Sequence, residues 1–200
     1  MSSHLVVEGP VGDLECRLDK PDQNAVATAV LCHPHPQYGG SMDDYVLSCA
    51  REVMLEAGLN VVRFNFRGVG GSVGVFDEGR GEIEDLLAVL AEVRGRNPEL
   101  PVCLLGYSFG ASVAWNALPT AGELAQLILI APPTAAMSFT EHAEPVVATA
   151  IAGSDDHFVD SRWLAQDGRV IWQVIDGADH FFSGAEDSLK AALRASLSTF

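Results

Sequence analysis

Short apolar runs alternate with helical patterns along most of the 200-residue chain. The first two runs, 4–8 and 13–18, flank a Gly-Pro-Val-Gly turn and predict an antiparallel hairpin. From residue 25 onward the runs are apolar throughout, which indicates strands that are buried on both faces. These predicted strands are 25–33, 60–66, 101–107, 126–133, 146–153 and 169–175.

Between the later strands, apolar positions recur at helical spacing. Ser41, with Asp44 three residues further on, has the spacing of a capping box and predicts a helix start, and Gly58 ends that helix. The other predicted helices are one closed by Asn97-Pro98, 109–118, a piece near 158–165 and an amphipathic terminal segment, 185–200. We therefore predict one α/β domain over 1–200, with a mostly parallel sheet, the antiparallel hairpin at its start and helices on both faces.

Composition and charge narrow the function. The net charge of −15 and the absence of a basic patch argue against a nucleic-acid partner and against anionic membrane surfaces. No apolar run reaches the length of a membrane span, and the N-terminus lacks the pattern of a signal peptide. Four widely spaced cysteines suit buried thiols better than a disulfide framework. These features predict a cytoplasmic protein.

The main candidate for chemistry is Ser108, in the sequence Gly106-Tyr-Ser-Phe-Gly110 between a buried strand and a helix. In parallel sheets, ligands bind at the carboxyl ends of the strands, which is where Ser108 stands. A Gly-x-Ser-x-Gly motif in this context holds the serine at a sharp turn with its hydroxyl exposed. The N–H of Phe109, at the helix start, can donate a hydrogen bond to an oxyanion.

A serine nucleophile needs a base, and the base needs an acid to orient it. His180 follows the last predicted strand within a loop bounded by Gly177 and Gly184, and Phe181 and Phe182 are expected to pack beneath that loop. Asp155 and Asp156 follow the strand before it, and at most one of them can face the histidine. The predicted constellation has the chain order serine, aspartate, histidine.

The chain resembles the α/β-hydrolase superfamily, in particular its small branches related to dienelactone hydrolase. The resemblance covers nearly the whole length and rests on HPHPQYGGSMDD, FNFRGVGGS, GYSFG, GSDDHFV and GADHFF. It favours Asp156 as the acid, since Gly153-x-x-Asp156-x-x-Val159 fits the superfamily spacing, and leaves Asp155 in reserve. It also implies that the loop beginning at Arg67 braces the site.

The same resemblance implies that the loop after His33 supplies a second oxyanion donor, two residues past that histidine. That residue is His35, and its flanking prolines have no N–H to offer. Gln37 and Tyr38 are alternatives. We expect the His33 side chain to act as an internal hydrogen-bonding strut. Tyr38 and Tyr107 are assigned to the substrate-binding surface.

Two other kinds of site are alternatives to this one. His33, His35 and His180 with an aspartate could bind zinc, although His35 lies between prolines and no zinc motif supports the idea. The glycines of 67–81 could cradle a nucleotide, but no helix begins directly after them with the required spacing. We therefore predict neither a metal nor a cofactor.

The sequence thus predicts a serine hydrolase of carboxylic esters. Only 134–145 join the strand that ends at Pro133 to the next one, which leaves no room for a cap domain and predicts an open, shallow site. Thioesterase, lactone hydrolase and peptidase activities remain alternatives on the same residues, as does a binding protein that has kept the fold without catalysis. The expected partner is a small-molecule ester, and the chain is expected to be a monomer or a homodimer.

Overall fold

The strands of the computed structural model form one twisted sheet. The structure describes residues 2–143, 146–160, 162 and 170–197. The sheet order is β1-β2-β4-β3-β5-β6-β7-β8, with β1, β2 and β4 paired antiparallel and the remaining neighbours parallel. The strands are β1 Ser2–Gly9, β2 Gly12–Asp19, β3 Ala27–Cys32, β4 Leu59–Phe64, β5 Val102–Tyr107, β6 Gln126–Ile130, β7 Ala148–Gly153 and β8 Val170–Ile175.

Helices cover both faces of this sheet. The described helices are α1 Tyr45–Glu56, α2 Arg80–Arg96, α3 Phe109–Ala117 and α4 Glu186–Ser196, together with a 3-10 turn, Pro36–Tyr38. The apolar residues of α2 and α3 belong to the core on one face, and those of α1 and α4 belong to the core on the other. Side chains of β5 alternate between the two cores, with Leu104 on the α2–α3 side and Leu105 on the α1–α4 side.

This architecture is the α/β-hydrolase fold, and the prediction of a mostly parallel sheet with an antiparallel N-terminal hairpin is confirmed. The described part of the connection between β6 and β7 contains turns and no helix, so it carries no cap domain. Much of the predicted helical piece near 158–165 lies outside the described residues, as do residues 198–200 of the terminal segment.

Two predicted boundaries, the start of α1 and the end of β6, are wrong. Helix α1 is capped by Asp44, whose carboxylate accepts the N–H groups of Val46 and Leu47, and not by Ser41. The residue after Ser41 is held by other partners, since Met42 donates its N–H to Asn65. Strand β6 stops at Ile130, before the two prolines that set the predicted end.

Candidate active site

The sheet order places two loops of the predicted site side by side. Strands β3 and β5 are parallel neighbours, and the chain crosses from one half of the sheet to the other between them. Such a switch in strand order opens a crevice at the carboxyl ends. The loop after Cys32 and the turn at Ser108 both begin at that edge.

Ser108 occupies a strained turn between β5 and α3. Its φ and ψ of 53° and −118° are unusual for a residue with a side chain. A Cβ at Gly106 would lie 2.2 Å from the Gly110 carbonyl oxygen, and one at Gly110 would lie 2.3 Å from the Cys32 oxygen. The two glycines therefore allow the strand, the helix and the neighbouring strand to meet closely, which holds the serine at the turn.

The three predicted polar residues form one hydrogen-bonded chain. Nε2 of His180 lies 2.9 Å from Ser108 Oγ, and Nδ1 lies 2.7 Å from Asp156 Oδ2. The carboxylate can only accept, so Nδ1 carries the proton and Nε2 is left to accept from the serine hydroxyl. Ser108 is partly accessible, whereas the aspartate and the histidine are buried. This arrangement can remove a proton from the serine.

The two adjacent aspartates in the loop after β7 differ in burial and in their hydrogen-bond partners. Asp156 is buried, and its second carboxylate oxygen accepts the N–H of Phe158 at 2.9 Å. Asp155 is exposed and lies 3.2 Å from the hydroxyl of Ser154. Of the two, only Asp156 contacts the histidine.

Backbone contacts hold the His180 loop in place. The hydroxyl of Tyr107 donates to the carbonyl oxygen of His180 at 3.2 Å, and burial raises the pKa of that hydroxyl. Asp179 accepts the N–H groups of Phe181 and Ser183, and the N–H of Ser183 is the main cause that holds the pKa of Asp179 below its usual value. The prediction that Tyr107 lies on the substrate-binding surface is wrong, because its side chain is buried behind the histidine.

The backbone N–H groups of Phe109 and His35, which both lie at the crevice, have no hydrogen-bond acceptor among the described residues. Phe109 is the first residue of α3, and its ring lies 5.0 Å from the ring of His35. The alternative donors are placed differently. The N–H of Gln37 donates to His35 Nδ1, and that of Tyr38 donates to the His35 carbonyl oxygen.

His33 is buried beneath this loop and links it to the segment that follows β4. Nδ1 lies 2.6 Å from the Pro34 oxygen, and Nε2 accepts the N–H of Phe66 at 3.0 Å. The ring is therefore neutral, with its proton on Nδ1. Since the peptide is planar and trans, fixing the Pro34 oxygen also fixes the N–H of His35 on the opposite side. This geometry is that of the predicted internal strut.

The buried His33 makes stability depend on pH. Burial lowers its pKa from 6.5 to about 4, so the unfolded chain binds a proton at pH values where the folded chain does not. We therefore expect His33 to leave the free energy of unfolding unchanged above pH 6.5. As the pH falls from 6.5 toward 4, His33 should lower that free energy by about 3 kcal/mol. Urea unfolding at a series of pH values would measure it.

Replacement of the ring supplies the control. In His33→Asn the free energy of unfolding should fall less steeply between pH 6.5 and 4 than in the wild-type protein. If the free energy of unfolding depends equally on pH in the two proteins, the pH dependence does not come from His33. If the variant does not fold, NMR of the wild-type ring decides, because a ring that titrates near 6.5 would equally contradict the lowered pKa of His33.

Aromatic side chains border the site on two sides. The loop-side aromatic cluster consists of His35, Tyr38, Phe76 and Phe109, whose rings pack in succession around His35. Tyr38 is the most open of these, with 87% of its surface exposed.

Phe158 and Phe181 lie on the other side and contact the His180 ring. The expectation that both phenylalanines after the histidine pack beneath the loop is wrong for Phe181, which is exposed, and holds for Phe182, which is buried. Phe158 and Phe181 were not predicted as site residues, and only their position next to Asp156 and His180 could have pointed to them.

The glycine-rich loop after β4 is anchored by a buried ion pair. The Arg67 guanidinium lies 2.8 Å from Asp85 on α2, and the Arg67 N–H donates to the same carboxylate. The hydroxyl of Ser72 donates to the Asn65 oxygen and accepts the N–H of Glu15. These contacts hold the loop that carries Phe76, which is the bracing role that the resemblance implies.

Among the described residues, no group of three or more His, Cys, Asp or Glu side chains could hold a metal ion. Two surface cavities of about 590 and 580 Å³ lie at the amino ends of the strands, next to Val102 and Asn60 and away from Ser108. No helix within the described ranges is long and apolar enough to cross a membrane.

Fold and site together define an α/β serine hydrolase, and comparisons with known proteins agree. The model of the serine aminopeptidase S33 family matches residues 23–171. An α/β serine hydrolase without a lid from Xanthomonas campestris is 37% identical, with a TM-score of 0.92 over 98% of this chain and 93% of that one. An α/β serine hydrolase homologue from Coxiella burnetii is 36% identical, with a TM-score of 0.87 over 98% and 97% of the two chains.

A curated relative from Rickettsia prowazekii, described as uncharacterised, is 33% identical over 98% of this chain and 88% of its own length. The chain therefore belongs to the serine aminopeptidase S33 family of α/β hydrolases.

Proposed function

We propose that the protein hydrolyses carboxylic esters of small or accessible acyl groups, with Ser108 as nucleophile, His180 as base and Asp156 as the acid that orients it. The observation that carries this proposal is the continuous hydrogen-bonded chain from Ser108 Oγ through His180 to Asp156. Membership of a serine hydrolase family supports it. A non-catalytic binding protein would have no need to keep all three groups in register.

In the first half of the reaction, Ser108 Oγ attacks the ester carbonyl carbon and its proton passes to His180 Nε2. The carbonyl oxygen becomes an oxyanion, which the N–H groups of Phe109 and His35 stabilise. The carbon–oxygen bond to the alcohol then breaks, and the alcohol oxygen takes the proton from Nε2. The acyl group is left on Ser108.

In the second half, water attacks the acyl carbon and gives its proton to the same nitrogen. The bond to Ser108 Oγ breaks, the serine regains its proton, and a carboxylic acid leaves. Asp156 stabilises the charged imidazolium in both halves and keeps the proton of the resting ring on Nδ1. No cofactor is needed for these steps.

The substrate is reached from the surface in this proposal. The described part of the β6–β7 connection lacks a cap, and Tyr38 at the rim is largely exposed. Both features favour short or accessible acyl groups over long chains that need a deep tunnel. Thioesters, lactones and peptides would undergo the same steps, and the family description gives the peptide alternative its specific support.

Location and assembly belong to the same proposal. The four cysteines are buried thiols, which suits the reducing cytoplasm. A net charge of −15 repels anionic lipid surfaces, so it favours an uncharged, water-soluble ester as the partner. We propose a monomer or homodimer that meets its substrate in solution.

A fluorophosphonate reagent tests the nucleophile directly. We expect one equivalent to bind covalently, to map to the peptide that contains Ser108 and to stop the hydrolysis of p-nitrophenyl butyrate, because the reagent forms a stable phosphonyl ester with an activated serine. Intact mass and peptide mapping would measure this. Labelling at another residue, or full activity after stoichiometric labelling, would overturn the assignment.

A comparison of acyl donors that differ in the bond to be cleaved tests which class of substrate the protein prefers. Acetyl and butyryl esters, the corresponding thioesters, small lactones and an aminoacyl p-nitroanilide would be compared by kcat/KM. We expect the esters to be the best substrates. A p-nitroanilide that exceeds them would move the protein to the peptidase alternative.

A further inference from the structure

Two exposed phenylalanine rings contact the ring of His180. The centroid of Phe158 lies 4.8 Å from that of the histidine, and the centroid of Phe181 lies 5.3 Å from it at nearly a right angle. Phe158 is 49% exposed and Phe181 is 62% exposed. We call these two residues the alcohol-side pair, for the reason that follows.

The chemistry of the site assigns the two parts of an ester to different places. His180 Nε2 must deliver a proton to the oxygen of the departing alcohol, so the alcohol group has to lie beside the histidine ring. The oxyanion has to lie at the N–H groups of Phe109 and His35. The acyl chain takes the remaining direction, away from the histidine. The side chains in contact with His180 therefore border the alcohol, and this conclusion rests on the proposed function.

Both rings are carried by backbone that is fixed to the catalytic residues. The N–H of Phe158 donates to Asp156, and its carbonyl oxygen accepts the N–H of Ala135 at 3.0 Å. The N–H of Phe181 donates to Asp179 at 3.0 Å. Little backbone freedom is lost when a ligand binds against groups held in this way. The pair is thus built into the site and is not a chance exposure on a free loop.

We propose that Phe158 and Phe181 form the binding surface for the alcohol part of the substrate, and that the enzyme prefers esters of flat, apolar alcohols such as aryl-methyl alcohols. Aromatic rings stack face to edge or offset on other rings, and their burial removes apolar surface from water. An alkyl alcohol of two carbons can cover little of either ring. The preference arises before the alcohol leaves, so it belongs to acylation alone.

Benzyl acetate and ethyl acetate test this proposal, because they form the same acetyl-enzyme and differ only in the alcohol. We expect wild-type kcat/KM to favour benzyl acetate by about tenfold, and Phe158→Ala/Phe181→Ala to lose most of that ratio. Cyclohexylmethyl acetate, which has similar bulk without a flat ring, should fall between the two esters. Phe181→Tyr keeps the ring and should keep the ratio.

Two controls separate recognition of the alcohol from general damage. Ethyl phenylacetate carries its ring on the acyl side, so its kcat/KM relative to ethyl acetate should not change in the double variant. Val6→Ala removes another exposed apolar side chain, on the hairpin, and should leave every ratio as in the wild-type protein. Both phenylalanines are only partly buried, so the variants should remain folded at the assay temperature, which thermal unfolding would measure.

Several results would overturn the proposal. They are a wild-type enzyme without preference for benzyl acetate, a double variant that keeps the preference, and an equal loss on ethyl phenylacetate. Failure of the proposed function looks different: the esters would then be turned over equally by Ser108→Ala, or not at all, whatever the state of the two phenylalanines.

Discussion

Ser108→Ala should lower kcat for p-nitrophenyl butyrate by about 10⁵- to 10⁶-fold. The hydroxyl oxygen is the atom that forms the covalent bond in the proposed mechanism, and it lies 2.9 Å from the base. In the proposed mechanism no other side chain forms that bond, since His180 transfers protons and Asp156 orients and stabilises the His180 ring. Steady-state rates at high enzyme concentration would measure the residual activity.

A matched serine elsewhere gives the control. Ser48, on α1, donates its hydroxyl to the carbonyl oxygen of Asp44 and has no part in the proposed mechanism, so Ser48→Ala should retain wild-type kcat. A Ser108→Ala protein that hydrolyses the ester at the wild-type rate would reject the serine-hydrolase proposal. A loss in Ser48→Ala of the same size would show that the assay reports folding and not chemistry.

At the same position, glycine should give a more stable protein than alanine, because glycine tolerates the strained turn. Ser108 has a φ of 53°, which costs free energy for any residue with a Cβ. Ser108→Gly removes that strain, so we expect it to be more stable than Ser108→Ala by about 1 kcal/mol, after allowance for the entropy of glycine in the unfolded chain. Because both variants lack the nucleophile, the difference in their free energies of unfolding reports the strain of the turn alone.

The fold was largely predictable, because each buried strand is written as a continuous apolar run. The run at 101–107 gives β5 at Val102–Tyr107 almost to the residue. The start of α1 was missed for a reason that local patterns cannot contain. Ser41 looks like a cap, but Met42 donates to Asn65 and Arg63 donates to the Met42 oxygen, so the chain there is held by β4 and its following loop.

The polar residues of the site were predictable from their places at strand ends, whereas their surroundings were not. Chain order placed Ser108 and His180 correctly in one crevice, since parallel strands end at a common edge. Tyr107 follows Gly106 in the motif, yet its side chain lies on the face of β5 that packs against α1 and α4, and it reaches the His180 carbonyl oxygen. Which face an element-terminal side chain occupies depends on packing that one sequence does not display.

Adjacent aspartates show the same limit and lead to the last prediction. Sequence placed two carboxylates in one loop, and only the structure distinguishes the buried Asp156 from the exposed Asp155. Asp156→Asn should lower kcat by about 10⁴-fold with little change in the fold. The introduced amide can donate to Nδ1, which moves the ring proton to Nε2, and a protonated Nε2 cannot accept the proton of Ser108.

Asp155→Asn is the matched control, one residue away and equal in chemistry. Its side chain is exposed and contacts only Ser154 among the described side chains, so kcat should stay within about threefold of the wild-type value. If Asp155→Asn abolishes turnover while Asp156→Asn does not, the acid is misassigned and the loop after β7 rearranges during catalysis. If both retain turnover, the hydrogen bond from Asp156 to His180 is not needed to orient the base, and the proposed mechanism loses one of its three residues.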